Sequence, residues 1–250
     1  MGQIINRRRV MGGGGNSPYV NMPLTIESTS DNNVISWVAW FETTPKVIVY
    51  STDDGLDFSQ ATSSSEGTVL ATLNTGDKMQ IAGFEQSYAD TLGPNSFLST
   101  GTYIVYGNIM SMIDGVTFKH NVGFVTGSSF VFAGLFMANE YLTSAKHLIL
   151  PATELVENCY NSMFTSCLSL TTAPELPATE LVEKCYNSMF DNCPSLNYIK
   201  CLATDISASD CTTNWVTNVP ASGTFVKAAG MIDWTTGYDG IPSGWTVVNA

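Results

Sequence analysis

Hydrophobic and polar positions follow two different rhythms along this chain. Between residues 19 and 105, short runs rich in β-branched and aromatic residues stand between turn formers: VISWVAWF at 34–41, KVIVYS at 46–51, GTVLATLNTGDKMQIAGF at 67–84 and GTYIVYGNI at 101–109. Such runs predict strands. Asp54-Gly55, between two of them, predicts a hairpin turn, and Asn74–Asp77 predicts another turn within the third run. Short strands at this spacing predict a small all-β sandwich over 17–105.

From 106 to 250 the rhythm is a long repeat. LPATELVENCYNSMFTSCLSL at 150–170 returns as LPATELVEKCYNSMFDNCPSL at 176–196. Cys159, Met163, Phe164 and Cys167 match Cys185, Met189, Phe190 and Cys193, each 26 residues on. The register continues in weaker form at Leu202 and Cys211, where Trp215 and Val216 replace Met-Phe. Upstream, LFMANEYL at 135–142 echoes it at an offset of 28. About four coils of a solenoid follow, in which each coil supplies the apolar surface that the next one covers.

Within a repeat, Leu155, Cys159, Met163 and Cys167 are four apart, the spacing of one helix face, with Tyr160 and Phe164 on an adjacent stripe. Thr153 reads as the helix N-cap, with Pro151 just outside. SLTTAPELP, with two prolines, reads as an extended return segment. The fold class expected is therefore α+β: an immunoglobulin-like sandwich, then a solenoid of helix-plus-strand coils. The cysteines read as buried free thiols. On one helix, Cys159 and Cys167 would stand about 12 Å apart, and neighbouring helices about 8–10 Å apart, both beyond the roughly 7 Å that a disulfide spans. No C-x₂-C spacing suggests zinc, and no cofactor is implied. Beside Met and Phe, Tyr160 and Tyr186 read as core rather than as a sugar-binding face.

Charge divides the chain unevenly. Charged residues make up 13%, against about 25% in typical soluble proteins. Arg7, Arg8 and Arg9 are the only arginines; beyond them seven lysines face 22 acids, a net formal charge of −15. Such a body repels nucleic acid and anionic membranes. Residues 1–16, MGQIINRRRVMGGGGN, form a basic arm ending in a polyglycine joint, which reads either as a disordered tail or as a docking peptide for an acidic partner. No run reaches the roughly 20 apolar residues that a transmembrane helix needs. MGGGGN stands where a secretion signal would carry its apolar stretch. Asp53, Asp54 and Asp57 read as turn chemistry rather than a calcium loop. His120 in TFKHNVGF and His147 in AKHLIL sit in no G-x-S-x-G, H-E-x-x-H or P-loop pattern, so no catalytic residue is assigned.

The block CYNSMF…C-x-SLTTAPELPAT resembles the leucine-rich repeats of the BspA-like type, abundant in proteins of gut Bacteroidales and their phages. The resemblance covers 150–201 and extends over about 106–250. The tail from SLNYIK to the C-terminus is similar to the ending usual in that group, where it closes the solenoid; Trp234 and Trp245 would cover the last apolar face. The opening MGQIINRRRVMGGG is similar to the first residues of many small proteins of crAss-like and related Bacteroides phages. The resemblance implies a non-enzymatic virion component at the particle surface, a head fibre or decoration protein. It would dock on a capsid or other virion protein through Arg7, Arg8 and Arg9 and present its repeats to a host-surface glycan or protein. Fibres imply a homo-oligomer, a trimer in the usual case, although no heptad pattern encodes one. A bacterial surface adhesin and a glycan hydrolase are the alternatives.

Overall fold

The computed structural model describes residues 17–121 and 123–250. The arm with Arg7, Arg8 and Arg9 lies outside them. The described residues open with a 3-10 turn, Pro18–Asn21, and eight strands: β1 (Leu24–Ser28), β2 (Asn33–Ala39), β3 (Val47–Ser51), β4 (Ser59–Thr62), β5 (Thr68–Leu73), β6 (Lys78–Gly83), β7 (Asn95–Ser99) and β8 (Tyr103–Asn108). The one α-helical turn among the described residues is α1 (Ser111–Asp114), followed by a 3-10 turn at Gly115–His120. Five short strands complete it: β9 (Leu142–Ile149), β10 (Thr172–Leu176), β11 (Tyr198–Cys201), β12 (Thr224–Lys227) and β13 (Thr246–Asn249).

Ten strands form one continuous sheet in the order β13-β12-β11-β10-β9-β8-β1-β6-β3-β4. It is antiparallel from β4 to β8 and parallel from β8 to β13. A second sheet, β5-β2-β7, is antiparallel. Buried side chains of both sheets and of the repeats belong to one core, from Leu24, Trp37 and Phe97 through Phe164 to Trp245.

The expected fold class is corrected on two points. The N-terminal half is not an immunoglobulin-like sandwich: β1 lies between β6 and β8, and the larger sheet runs on into the repeats instead of ending at a domain edge. The run 67–84 is strand, turn, strand as expected, yet β5 pairs with β2 while β6 pairs with β1 and β3, so the two sheets share it. The turn at Asp54-Gly55 does join a hairpin, β3 with β4. Both residues take positive φ, 59° and 79°. Asp53 Oδ1 accepts from the N–H groups of Leu56 and Asp57, which is turn chemistry.

The second correction is that the repeats contain no helix, so the solenoid is a β-solenoid and not a leucine-rich-repeat array. Where a helix capped by Thr153 was expected, the chain forms a ribbon of consecutive tight turns with a four-residue period. One residue in four has left-handed backbone: Asn158, Ser162 and Ser166, then Lys184, Ser188 and Asn192, then Asp210, Asn214 and Asn218, all with φ between 51° and 60°. Alternate N–H groups then take different partners. Those of Cys159, Asn161, Met163, Thr165 and Cys167 donate to the carbonyl three residues back, at 3.1–3.2 Å. Those of Asn158, Tyr160, Ser162, Phe164 and Ser166 donate to the next coil, on Glu183, Cys185, Asn187, Met189 and Asp191, at 2.8–3.2 Å. Every N–H of the stretch is thus satisfied without helical bonding. The coils stack at backbone hydrogen-bond spacing, about 4.8 Å, not at helix spacing. Each ribbon returns through one short strand, and Thr172, Tyr198 and Thr224 pair in register, 26 residues apart each time.

The N-terminal half caps this solenoid on both of its sides. On the sheet side β8 pairs with β9. On the ribbon side the first coil hangs on the smaller sheet: Phe97 N–H donates to Leu135 O at 3.0 Å, and the buried Asn139 amide donates to Phe97 O at 2.7 Å.

Turn ribbon and helix predict opposite rankings at Ser162, whose φ is 54°. In a helix glycine is a worse choice than valine. In left-handed backbone an L-residue costs about 1–2 kcal/mol and a β-branched one more, whereas glycine is free of that strain. Ser162→Gly is expected to stay within about 0.5 kcal/mol of the parent and Ser162→Val to lose about 2 kcal/mol. Urea unfolding of the two variants decides between the geometries.

Candidate functional site

Residues that recur in the sequence are core. Cys159, Met163, Phe164, Cys167, Cys185, Met189, Phe190 and Cys193 are all fully buried. Two aromatic columns run down the coils. Phe136, Phe164 and Phe190 stack at 5.5 and 5.7 Å with rings within 9° of parallel. Phe132, Tyr160, Tyr186, Trp215 and Trp234 stack at 6.1, 6.1, 6.5 and 5.4 Å. Trp234 therefore closes the second column. Trp245 Nε1 donates to Pro220 O at 2.7 Å, tying the tail to the last coil. Tyr160 and Tyr186 are each 1% exposed, so neither offers a face to a ligand.

All six cysteines are free. Distance does not keep them apart, as the helix spacing led us to expect, because coils at sheet distance bring equivalent cysteines within disulfide range. Hydrogen bonds to the preceding coil engage two of the thiols instead. Cys167 Sγ donates to Phe136 O at 3.1 Å and Cys193 Sγ to Phe164 O at 3.0 Å, each reaching back one coil. Burial pushes the thiols up, to about 12 for Cys159, Cys193 and Cys201. The S–H is retained and serves as a donor rather than as a nucleophile. Among the described residues no group of three or more His, Cys, Asp or Glu is placed to hold a metal ion.

Between the buried pairs, the ribbon turns pairs of polar residues outward: Asn161-Ser162, Thr165-Ser166, Asn187-Ser188 and Asp191-Asn192. They tie neighbouring coils together. Thr165 Oγ1 donates to Ser188 O at 2.6 Å, and Asn192 Nδ2 to Ser166 Oγ at 3.2 Å. Glu154, Glu180 and Asp205 are exposed on successive coils, and the backbones of Glu180 and Asp205 pair in a parallel bridge along the stack. Among the described residues, no helix is long and apolar enough to cross a membrane.

The arm joins the body at a defined place. Its root, the 3-10 turn Pro18–Asn21, packs on β8 and β9. Tyr19 stacks on His147 at 4.6 Å and meets the edge of Tyr106 at 5.2 Å. Tyr106 Oη donates to Glu27 Oε2 at 2.8 Å, and Lys78 Nζ lies 3.6 Å from the same oxygen. These side chains border a hollow of about 310 Å³. Burial, then the Glu27 carboxylate that its hydroxyl serves, pushes the Tyr106 phenol up. Burial and then Lys146 push the His147 imidazole down, which favours its neutral form. His147 thus lies on β9 in an aromatic contact, while His120 ends the 3-10 turn after α1. The sequence carried no signal for this cluster, because its members come from the 3-10 turn and four separate strands.

No protein-family model matches this chain, and no curated protein or solved structure matches it.

Proposed function

We propose that this protein is a non-enzymatic structural component of a bacteriophage particle. Residues 1–16 anchor it to a capsid or other particle protein, and the repeat body is displayed towards the host surface. The observation that carries this reading is the arm root. A cationic segment joins an acidic body where Tyr19 is clamped between Tyr106 and His147, on a sheet that continues unbroken to both ends of the molecule. A tether at that point is attached to the sheet as a whole and not to a single coil. The polar ladder of the ribbon, in which Asp191 is the one acid, together with the buried thiols, suits a surface that is displayed rather than one that turns over substrate. Arg7, Arg8 and Arg9 supply the charge that an acidic docking site would recognise.

The test is a chain lacking residues 1–16, expressed during infection in place of the parent. Its incorporation into purified particles is expected to fall at least tenfold, while its melting temperature stays that of the full chain. Equal incorporation would remove the anchoring role.

A further inference from the structure

The far end of the solenoid carries a cleft of about 450 Å³, within the roughly 300–1,000 Å³ of small-ligand sites. One wall is the segment leaving the last coil, with Asn218, Val219 and Pro220; the other is the closing loop, with Tyr238, Pro242 and Ser243. The walls are fixed to each other before any ligand arrives. Val216 N–H donates to Tyr238 O at 3.2 Å, Trp245 Nε1 to Pro220 O at 2.7 Å, and Trp215 Nε1 to Gly240 O at 2.7 Å. Such preorganisation lowers the ordering cost of binding.

Within this frame Tyr238 is 66% exposed, whereas Trp215 and Trp245 beside it are buried. Its ring is not used to close the solenoid. Apart from the Tyr238 phenol, no ionisable side chain lines the cleft, in a chain of net charge −12. The next acid along the chain, Asp239, turns its carboxylate to the N–H of Asn214 at 2.6 Å. A charged ligand would find no counter-charge here. A wholly apolar one would strip water from the Asn218 amide and the Ser243 hydroxyl without replacing it. A pyranose satisfies both demands, with a C–H face for the tyrosine ring and the two prolines and a rim of hydroxyls for the amide and the serine.

We infer that this cleft binds a neutral sugar ring, stacked on Tyr238 and hydrogen-bonded by Asn218 and Ser243. For the source of the sugar, a cell surface, the inference rests on the display role; binding itself is a property of the isolated protein. By strand spacing the cleft lies about 20 Å from the arm root, so anchor and ligand do not compete for one face.

The test uses the full chain and saturation-transfer NMR with methyl glycosides of glucose, galactose, mannose, fucose and N-acetylglucosamine. At least one is expected to receive saturation, strongest at its ring C–H protons. Tyr238→Ala should cut that signal at least fivefold without changing the melting temperature, and Ser243→Ala should weaken it. His147→Ala, at the arm root, should leave it intact, as should removal of residues 1–16. No transfer to any of the five glycosides, or transfer that Tyr238→Ala leaves unchanged, would overturn the site. Loss of particle incorporation with sugar binding retained would bear on the anchor alone.

Discussion

Phe164→Ala is expected to destabilise the protein by about 3–5 kcal/mol. Phe164 is fully buried as the middle ring of a three-ring column, with Phe136 5.5 Å above and Phe190 5.7 Å below, all nearly parallel. Its removal loses the transfer energy of a full aromatic side chain and opens a cavity. It also breaks two ring contacts, each worth about 0.5–1.5 kcal/mol beyond area burial. The backbone cannot collapse to refill the space, because Phe164 N–H is held by Met189 O at 2.9 Å and Phe136 N–H by Met163 O, also at 2.9 Å. At this chain length the melting temperature should fall by about 10 °C or more. Phe84→Ala, at a 72% exposed phenylalanine, is the control and should be nearly silent. Scanning calorimetry of both variants checks this. A loss at Phe164 under about 1 kcal/mol would mean that the columns fill space without holding the coils.

Gly107→Ala should cost about 3 kcal/mol or more, for a different reason. Gly107 lies on β8, the strand common to the antiparallel and parallel parts of the large sheet, and its φ is 88°. A side chain there meets left-handed strain of about 1–2 kcal/mol. It also meets backbone: an added Cβ would lie 2.0 Å from Pro23 O and 2.8 Å from Pro23 C. No rotamer relieves that contact, so the segment between arm root and β1 must move, an overpacking cost of about 1–3 kcal/mol. Gly127→Ala isolates the two effects, since Gly127 has φ 83° with nothing within 4 Å of its added Cβ. It should lose only the strain. Chemical unfolding of the two variants in parallel gives the difference, and equal losses would show that the close approach at Pro23 is harmless.

The 26-residue period is legible in the sequence, and with it the stacking, the buried thiols and the return strand at 172–176. The conformation of the ribbon is harder to read, because a spacing of four fits two structures. Cys159, Met163 and Cys167 lie near one face of a helix, and they also lie at one corner of a four-residue turn. The signal that separates them is pairing. Apolar residues come as Cys159-Tyr160 and Met163-Phe164, with polar pairs between, and the pattern does not drift as a 3.6-residue period would. The left-handed positions point the same way: Asn158, Ser162, Ser166, Ser188, Asn192, Asp210, Asn214 and Asn218 are poor helix formers, and Asn and Asp tolerate that backbone best. In the N-terminal half the strands can be read from β-branched runs, but their partners cannot, because pairing of β1 with β6 and β8 is set by packing between distant segments. The arm-root cluster and the terminal cleft share this limit. Tyr19, Glu27, Lys78, Tyr106 and His147 are scattered over the chain and meet only once the sheet is built, and Tyr238 gives no sign in the sequence of being left outside the core.

The unbroken sheet also fixes how the protein would carry a mechanical load. A pull on residues 1–16 passes through the clamped Tyr19 to β1, an interior strand bonded to β6 on one side and β8 on the other. Tension therefore spreads over two ladders at once, and freeing β1 means rupturing both. With a ligand held at the terminal cleft, the same load crosses the coils through the parallel ladders from β8 to β13, so the whole sheet shares it.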